Sequence, residues 1–318
     1  MNVLGGINMR ELIFFEPYYK QVLWGGHKMR DFYGYPIPGD DTGEAWAISA
    51  NPHGQSIVRG GTYDGQTLKQ LWDCHRELFG DIEGEDFPLL VKIIDANDHL
   101  SIQVHPDDEY MFRQGQGNLG KTECWYILDC DEDGDIIIGH HAQNQKELEQ
   151  MVNDGQWDKL LRKLPIHKGD FFYIPAGTVH AIRKGTLLLE VQQNSDTTYR
   201  LYDYGRLQDG KPRQLHVKES LNVISCPHKN IDTKGNLEDH GIYEVCTLVK
   251  SPYFTVTRWN IKTQASISQS YPFMLIDVIS GNGVLDGKEI KAGDHMMLPA
   301  GYGMIHTQGS MELITTYI

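Results

Sequence analysis

The segment from Leu100 to His105 alternates apolar and polar side chains, as a β-strand with two different faces does. Gln103 and His105 therefore project from the same face, about 7 Å apart along the strand. An amide oxygen and an imidazole nitrogen are both ligands of divalent metal ions. The alternation fits an edge strand with a solvated polar face equally well, so the segment alone leaves both interpretations open.

A carboxylate and a second imidazole follow further along the chain. Lys121 and Glu123 share one face of the next predicted strand. A run Gly-x5-Pro-x-Gly-x-x-His ends at His180, and its Pro-x-Gly corner predicts that His180 begins a new strand facing inward. Two imidazoles, one carboxylate and one amide oxygen suit zinc, and Fe, Mn, Co or Ni would also fit. No redox role is evident, so zinc is favoured; a solvated or core histidine is the alternative for His180.

Positioning these side chains requires a scaffold of strands, and the apolar pattern predicts one. Strands are predicted at Leu12–Phe15, Trp46–Ser49, Ser56–Val58, Leu89–Asp95, Leu100–His105, Glu123–Leu128 and Ile136–Gly139. Helices are predicted over residues 67–79, just after Pro106, and over about 145–164, and nearly everything after Pro165 is predicted to be strand and turn. This mainly β pattern favours a sandwich or barrel of antiparallel sheets.

One stretch of the chain occurs twice. Residues 168–177 and 291–301 each contain a Gly-Asp turn, an apolar strand and a Pro-Ala-Gly corner. Two copies with the same spacing indicate a duplicated β-barrel unit, divided near residues 230–240. We predict a metal-binding catalytic domain over residues 1–235 and a degenerate domain without metal over 236–318, because Met304 occupies the position that corresponds to His180.

Charge and cysteine content restrict the partners and the compartment. The 318 residues carry a formal net charge of -14 without a run of Lys or Arg, which disfavours nucleic acid and anionic membranes as partners. An anionic substrate would need a local basic pocket. The five cysteines are odd in number and scattered, so reduced thiols are expected. Residues 1–10 do not read as a signal peptide, and no apolar stretch is long enough for a bilayer, so we expect a cytoplasmic protein, a monomer or weak homodimer.

Several longer motifs are similar, in order and spacing, to those of one enzyme family. They are Pro17-x-x-Lys20-x-x-x-Trp24-Gly25-Gly26, Gly43-Glu44-Ala45-Trp46-x-x-Ser49, residues 88–92, residues 100–107, Lys121-Thr122-Glu123, the corner before His180, and Asp196-x-x-x-Arg200-x-x-Asp203-x-x-Arg206. Along most of its length the chain resembles the type I mannose-6-phosphate isomerases, in their short bacterial form, which belong to the cupin superfamily.

The resemblance implies a fold, a reaction and a set of site residues. The fold would be a double cupin, two jelly-roll-like β-barrels with helical insertions in the N-terminal two-thirds. The reaction would be interconversion of mannose 6-phosphate and fructose 6-phosphate through a metal-stabilised cis-enediolate. By the resemblance, one Zn2+ ion per chain is bound by Gln103, His105, Glu123 and His180. Ser101 and Arg206 would bind the phosphate, and the reacting end of the sugar would meet Lys92, Lys121, Glu190, Asp196 and Arg200.

The chemistry of these residue types agrees with that reaction. A divalent metal with one carboxylate ligand keeps a net positive charge that can stabilise an enediolate, and an arginine fork matches phosphate oxygens. Alternatively, Arg200 and Arg206 pair with Asp196 and Asp203 on a surface turn. Some family members have a histidine just before the Lys-x-Glu segment, where this chain has Gly120. The general base is therefore open, with three candidates: Lys121, Glu190 and Asp196.

Three other functions fit parts of the same pattern. A metal-dependent cupin dioxygenase would need three histidines and a glutamate around iron, so Gln103 weakens that alternative. Another phosphosugar isomerase could act on a glucose or a pentose phosphate. A non-catalytic sugar-binding cupin with a relic metal site is disfavoured, because a binding module needs no proton-transfer groups such as Lys92 and Lys121.

Overall fold

A computed structural model describes residues 10–115, 119–208, 210–231 and 233–318 of the protein. The chain forms two compact units. Unit 1 comprises the segment that ends at Tyr18, residues 46–88 and residues 234–318; unit 2 comprises residues 19–45 and 89–233. Most of the N-terminal stretch considered above for a signal peptide, residues 1–9, lies outside the described residues.

Short strands make up most of the secondary structure. The strands are β1 Ile13–Glu16, β2 Tyr18–Gly26, β3 Thr42–Asn51, β4 Gly54–Gln55, β5 Ile57–Arg59, β6 Leu89–Ala96, β7 Ile102–Val104, β8 Glu123–Asp129, β9 Asp135–His140, β10 Leu161–Pro165, β11 Phe171–Ile174, β12 His180–Ile182, β13 Thr186–Gln193, β14 Tyr199–Tyr202, β15 Leu207–Gln208, β16 Lys211–Pro212, β17 Asn236–Asp239, β18 Tyr243–Lys250, β19 Thr255–Ile261, β20 Gln264–Gln269, β21 Met274–Leu285, β22 Lys288–Lys291, β23 His295–Leu298 and β24 Gly303–Tyr317. The helices are α1 Lys28–Tyr33, α2 Leu68–Cys74, α3 Asp108–Gln114, α4 Gln145–Asn153, α5 Trp157–Leu160 and α6 Val217–Val223, and Arg76–Phe79 forms a 3-10 helix.

Unit 1 is built on a large antiparallel sheet. Its main path runs β17-β18-β19-β24-β21-β23-β1-β5, with β20 paired to β24 and β22 paired to β21. Alternate residues of these strands, among them Met274, Ile276, Met296 and Leu313, form a buried apolar cluster on one side of the sheet. The period of two in a strand therefore produces this core directly.

Unit 2 contains a five-stranded sheet whose two faces bury different apolar clusters. The order of this sheet is β10-β9-β12-β7-β14. Ile102 and Val104 of β7 belong to one cluster together with residues of α4 and α5. Ile138 and Ile182 belong to a second cluster, which includes residues of a neighbouring sheet with the order β11-β8-β13-β6-β3-β2. Because side chains alternate along a strand, the face of β7 opposite Ile102 is directed towards that second sheet.

The fold class agrees with the prediction of a mainly β, double-cupin protein. Over the described residues the sheets remain open, so the units are cupin-like sandwiches and not closed barrels. The predicted helix over residues 67–79 is present but is interrupted at His75, the residue between α2 and the 3-10 helix. Within the part of the chain that is described, no helix is long and apolar enough to cross a membrane, and all five cysteines are free.

One predicted helix ends earlier in the structure, and one short helix was not predicted. The predicted helix over about 145–164 ends earlier: its last residues form β10, which pairs with β9 through Lys163 and Ile137. Pairing with a neighbouring strand outweighs the helical preference of the Leu, Arg and Lys residues of β10, because intrinsic propensity is small beside tertiary contacts. After Pro165 the described residues are nearly all strand and turn, as predicted, but one short helix, α6 Val217–Val223, was not predicted.

The internal repeat is conserved in its backbone hydrogen bonds. In the first copy the Asp170 carboxylate accepts a hydrogen bond from the His167 N–H at 2.7 Å, and in the second Asp294 accepts one from the Lys291 N–H at 2.9 Å. The backbone of Asp170 also pairs with Ile127 in the way that Asp294 pairs with Val278. The same turn thus starts β11 and β23. The predicted domain boundary at 235/236 stays a prediction; the chain passes between the two units at residues 233 and 234, but unit 1 also includes earlier segments.

Candidate active site

The five-stranded sheet brings three of the predicted site residues into one row. In the antiparallel register, Gln103 of β7 lies opposite His180 of β12 on one side and opposite Arg200 of β14 on the other. Residues directly opposite each other in antiparallel strands project from the same face of a sheet. His180 is the first residue of β12, as the Pro-x-Gly corner predicted.

The second sheet of unit 2 supplies the acidic and basic side chains. Glu190 of β13 is paired with Trp125 of β8 and with Lys92 of β6, so these three side chains share a face. Glu123 lies two residues before Trp125 on β8 and projects from the same face. The alternation of three neighbouring strands, β8, β13 and β6, therefore collects a carboxylate pair and a lysine on one side of this sheet.

His105, Glu123 and His180 converge in the interior of unit 2. Their ligand atoms lie within 4.8 Å of one another, and all three residues are buried. The Nε2 atom of His105 lies 3.5 Å from Glu123 Oε2, and the Nε2 atom of His180 lies 3.4 Å from Glu123 Oε1. The amide group of Gln103 lies 3.3 Å from His180 Nε2. Among the described residues this is the one group of three or more His, Cys, Asp or Glu side chains close enough to bind a common ion.

Two backbone carbonyls fix the orientation of the imidazoles. The Nδ1 atom of His105 is 2.8 Å from the Thr197 carbonyl, and the Nδ1 atom of His180 is 2.8 Å from the Thr178 carbonyl. Each Nδ1 therefore donates a proton, which leaves the lone pair of Nε2 directed at Glu123. Burial lowers the pKa of both histidines, that of His105 strongly, and the positive charge of Lys121 lowers both further. Neutral imidazoles with a lone pair on Nε2 are the form that binds metal ions, and the Nε2 atom of His105 also lies 3.2 Å from Lys121 Nζ.

The carboxylate of Glu123 completes a donor set that fits a divalent cation. Its side chain is fully buried, and its Oε1 atom accepts no hydrogen bond from the residues described. A buried carboxylate without such donors is costly unless a cation compensates its charge. Lys121 Nζ lies 2.9 Å from Oε2 and supplies one positive charge. Two imidazole nitrogens, two carboxylate oxygens and an amide are an N/O set of the kind that zinc accepts.

A second ionic cluster borders the histidines. Lys92 Nζ lies 3.2 Å from Glu190 Oε1, Lys121 Nζ lies 4.0 Å from the same oxygen, and Trp125 donates a hydrogen bond to Glu190 Oε2 at 2.9 Å. Burial raises the pKa of Glu190, but Lys121 and Lys92 outweigh this effect and lower the pKa to about 2. Burial lowers the pKa of Lys121, and Glu123 and Glu190 outweigh it, so the pKa is raised. Both groups are thus charged at neutral pH.

The predicted phosphate-binding residues lie near the beginning of β7. Ser101 is buried, two residues before Gln103. The guanidinium of Arg206 donates hydrogen bonds to the carbonyl of His99 and to the carboxylate of Asp203. The alternative of an Arg206–Asp203 pair is therefore realised, but the Asp203 side chain is only 4% exposed, so the pair is not on the surface. Arg200 instead donates to the Gln214 carbonyl at 2.9 Å.

The interpretation of residues 100–105 as a solvated edge strand is wrong. β7 lies between β12 and β14, and His105 and Ser101 are both buried. Asp196 differs from the other predicted site residues because it is exposed, on the loop between β13 and β14.

Two further residues belong to the cluster of Lys92, Lys121 and Glu190 but were not predicted as site residues. Glu44 Oε2 lies 3.9 Å from Lys92 Nζ, and Trp125 binds Glu190. Their sequence signals were the motif around Glu44 and the two-residue spacing from Glu123 to Trp125.

Comparison with known proteins identifies relatives along almost the entire chain. A family model described as phosphomannose isomerase type I, catalytic domain, matches residues 12–128, and one described as mannose-6-phosphate isomerase, cupin domain, matches residues 244–318. The chain is 50% identical to mannose-6-phosphate isomerase ManA of Bacillus subtilis over 97% of its length and 99% of the relative's. It is 45% identical to the mannose-6-phosphate isomerase of Streptococcus mutans, over 97% and 99% of the two chains.

Solved structures give the same result. The crystal structure of the mannose 6-phosphate isomerase from Bacillus subtilis matches with a TM-score of 0.94 at 46% identity, covering 96% of this chain and 99% of that chain. The apo form of the Salmonella typhimurium enzyme matches with a TM-score of 0.76 at 16% identity, covering 96% and 98%. The second match concerns the fold alone.

Proposed function

The chain belongs to the type I phosphomannose isomerases and interconverts mannose 6-phosphate and fructose 6-phosphate, and we propose that this reaction takes place at the buried cluster of unit 2. The observation that carries the proposal is the convergence of His105, Glu123 and His180 within 4.8 Å. Gln103 and these three residues would bind one zinc ion. A divalent cation supplies a Lewis acid that stabilises negative charge on sugar oxygens.

The remaining residues of the cluster suit the proton transfer between C1 and C2. A cis-enediolate carries negative charge at the oxygens of these carbons, and Lys92, Lys121 and Arg200 would add positive charge beside them. Lys121 Nζ and Glu190 Oε1 are 4.0 Å apart next to the proposed metal ligands. Of the three candidate bases, these two are buried, whereas Asp196 is exposed. We therefore favour the Lys121–Glu190 pair for moving the proton.

The proposal also covers the cellular location, the binding partners and the oligomeric state of the enzyme. All five cysteines are free thiols, which supports a reducing, cytoplasmic location. The net charge of -14 disfavours nucleic acid and an anionic membrane as partners, so a small anionic phosphosugar would be bound by local basic side chains such as Arg206 and not by the overall charge. We propose that the enzyme acts as a monomer or a weak homodimer.

Removal of the metal tests the proposal as a whole. Treatment with a chelator is expected to lower the rate of fructose 6-phosphate conversion by about a thousandfold, because Lewis-acid stabilisation contributes several kcal/mol. Added Zn2+ should restore the rate in proportion to bound metal. The measurement is a coupled assay with metal analysis on one sample. Full activity in metal-free protein would exclude the metal-centred mechanism.

Replacement of Arg206 tests the proposed phosphate contact. Arg206→Ala is expected to raise the KM for fructose 6-phosphate by about tenfold or more, with little change in kcat, because phosphate is bound equally in the ground and transition states. Steady-state kinetics at saturating metal measure both constants. A loss confined to kcat would contradict the phosphate role.

A further inference from the structure

A third arginine shares the carboxylate that binds Arg206. Arg213 Nη1 lies 3.4 Å from both carboxylate oxygens of Asp203. Arg206 donates a hydrogen bond to Oδ1 of the same carboxylate. The Asp203 side chain is 4% exposed, and the side chains of Arg206 and Arg213 are 15% and 16% exposed. Two nearly buried guanidinium groups therefore depend on one carboxylate.

A tight turn holds Arg206 against Asp203. Tyr204 and Gly205 both have positive φ, 58° and 69°, and the Arg206 N–H donates a hydrogen bond to the Asp203 carbonyl at 3.0 Å. Two successive left-handed residues closed by such a bond form a type I′ turn. A left-handed conformation is uncommon for tyrosine. The ring of Tyr204 packs 5.3 Å from the Arg206 guanidinium carbon. The backbone is thus committed to one position of Arg206.

Arg200 extends the cluster towards the proposed metal site. The guanidinium of Arg200 donates a hydrogen bond to the carbonyl of Gln214, the neighbour of Arg213. The backbone N–H of Arg200 donates a hydrogen bond to His216 Nδ1 at 3.2 Å. The segment that contains Arg213 therefore runs beside β14. Burial lowers the pKa of Arg200 and of Arg213, and the other arginines of the cluster lower both further.

The charges of this cluster are not balanced by the protein. Arg206 and Arg213 both pair with the one buried carboxylate of Asp203, and the positive charge of Arg200 is close enough to affect them; Asp98, 3.6 Å from Arg206, is half exposed. The Nε–H groups of Arg200 and Arg206 are buried and donate no hydrogen bond within the described chain. Buried cations and unused donors are costly unless an anion with several acceptor oxygens compensates them.

The position of the cluster matches one end of the substrate. Gln103 lies opposite Arg200, Ser101 lies about 7 Å earlier along β7, and Arg206 binds the carbonyl of His99, two residues before Ser101. Arg206 and the Asp203 carboxylate that it shares with Arg213 thus lie towards the beginning of β7, whereas Arg200, opposite Gln103, borders the proposed metal ligands towards its end. In a hexose 6-phosphate, the phosphate is at the opposite end of the molecule from C1 and C2.

We propose that Arg213 is a third phosphate-binding residue, held by Asp203 together with Arg206, and that it makes the enzyme selective for phosphorylated sugars. This inference rests on the proposed function, because it assigns the phosphate end of that same site. The planar fork of an arginine presents paired donors to phosphate oxygens. Asp203 acts as a positioning residue that keeps the two forks aligned.

Replacement of Arg213 tests the inference. Arg213→Gln is expected to raise the KM for fructose 6-phosphate by about tenfold to a hundredfold, while kcat changes by less than about threefold. The reason is that the hydrogen bonds to the charged phosphate are lost equally in the ground state and in the transition state. Arg213→Lys should show a smaller rise, because lysine keeps the charge without the fork. Arg59→Gln is the matched control: Arg59 also pairs with a mostly buried aspartate, Asp294, but in unit 1.

A binding measurement separates this inference from the proposed function. Mannitol 6-phosphate and mannitol, which cannot isomerise, are titrated into metal-loaded wild type and Arg213→Gln by calorimetry. The variant should lose affinity for mannitol 6-phosphate only; equal affinity in both proteins, or equal losses for both ligands, would overturn the inference.

Asp203→Asn should raise KM with kcat nearly unchanged, and Asp203→Glu should retain a lower KM than Asp203→Asn. Failure of metal-loaded wild type to isomerise would instead contradict the proposed function.

Discussion

His180→Ala is expected to abolish metal binding and to lower kcat/KM by about a thousandfold or more. His180 is fully buried, and its Nε2 lone pair is directed at Glu123, 3.4 Å away. Alanine removes one of two imidazole ligands, and the loss of Lewis-acid stabilisation costs several kcal/mol of transition-state energy. Metal content per folded chain and steady-state kinetics on the same preparation measure the two effects together.

His140→Gln is the matched control for this variant. His140 is also buried, lies at the end of the neighbouring strand β9, and binds a backbone carbonyl, that of Ser225, at 3.0 Å. It is outside the proposed metal-binding cluster, so its replacement should leave the metal content unchanged. A His180→Ala protein that retained stoichiometric metal would show that the ligand assignment is wrong.

Glu190→Gln is expected to lower both stability and activity. The substitution removes the carboxylate that lies 3.2 Å from Lys92 and 4.0 Å from Lys121, and two buried ammonium groups then lose a shared counter-charge. Removing one partner of a buried ion pair typically costs about 3 to 5 kcal/mol. Activity per folded chain should fall at least about a hundredfold if Glu190 takes part in proton transfer. Urea unfolding and kinetics at neutral pH, where Glu190 is charged, measure the two quantities.

A partly exposed carboxylate provides the comparison for Glu190. Glu244 lies 2.8 Å from Lys262 in unit 1, and the pair is solvated. Glu244→Gln should change the urea midpoint little, because exposed ion pairs contribute little to stability. Wild-type activity per folded chain in Glu190→Gln would exclude Glu190 from proton transfer and leave Lys121 as the buried candidate.

Features that depend on local geometry could be predicted from the sequence alone. The alternation of residues 100–105 predicted that Gln103 and His105 project together, because the side-chain period of a strand is two whatever its neighbours are. The Pro-x-Gly corner predicted the start of β12 at His180, because such a corner also depends on residues that are close together in the chain. Both copies of the Gly-Asp turn were predictable because the turn is closed by hydrogen bonds between near neighbours in the chain.

Tertiary structure alone decided which distant segments meet. The approach of Glu123 to His180, the sharing of Asp203 by Arg206 and Arg213, and the pairing that turns the end of a predicted helix into β10 all join residues from different parts of the chain. Strand order and register, which the periodicity of a single segment does not contain, set these contacts. For that reason the sequence indicated the individual side chains of the site, whereas the packing of the two sheets in unit 2 decided their distances and their charges.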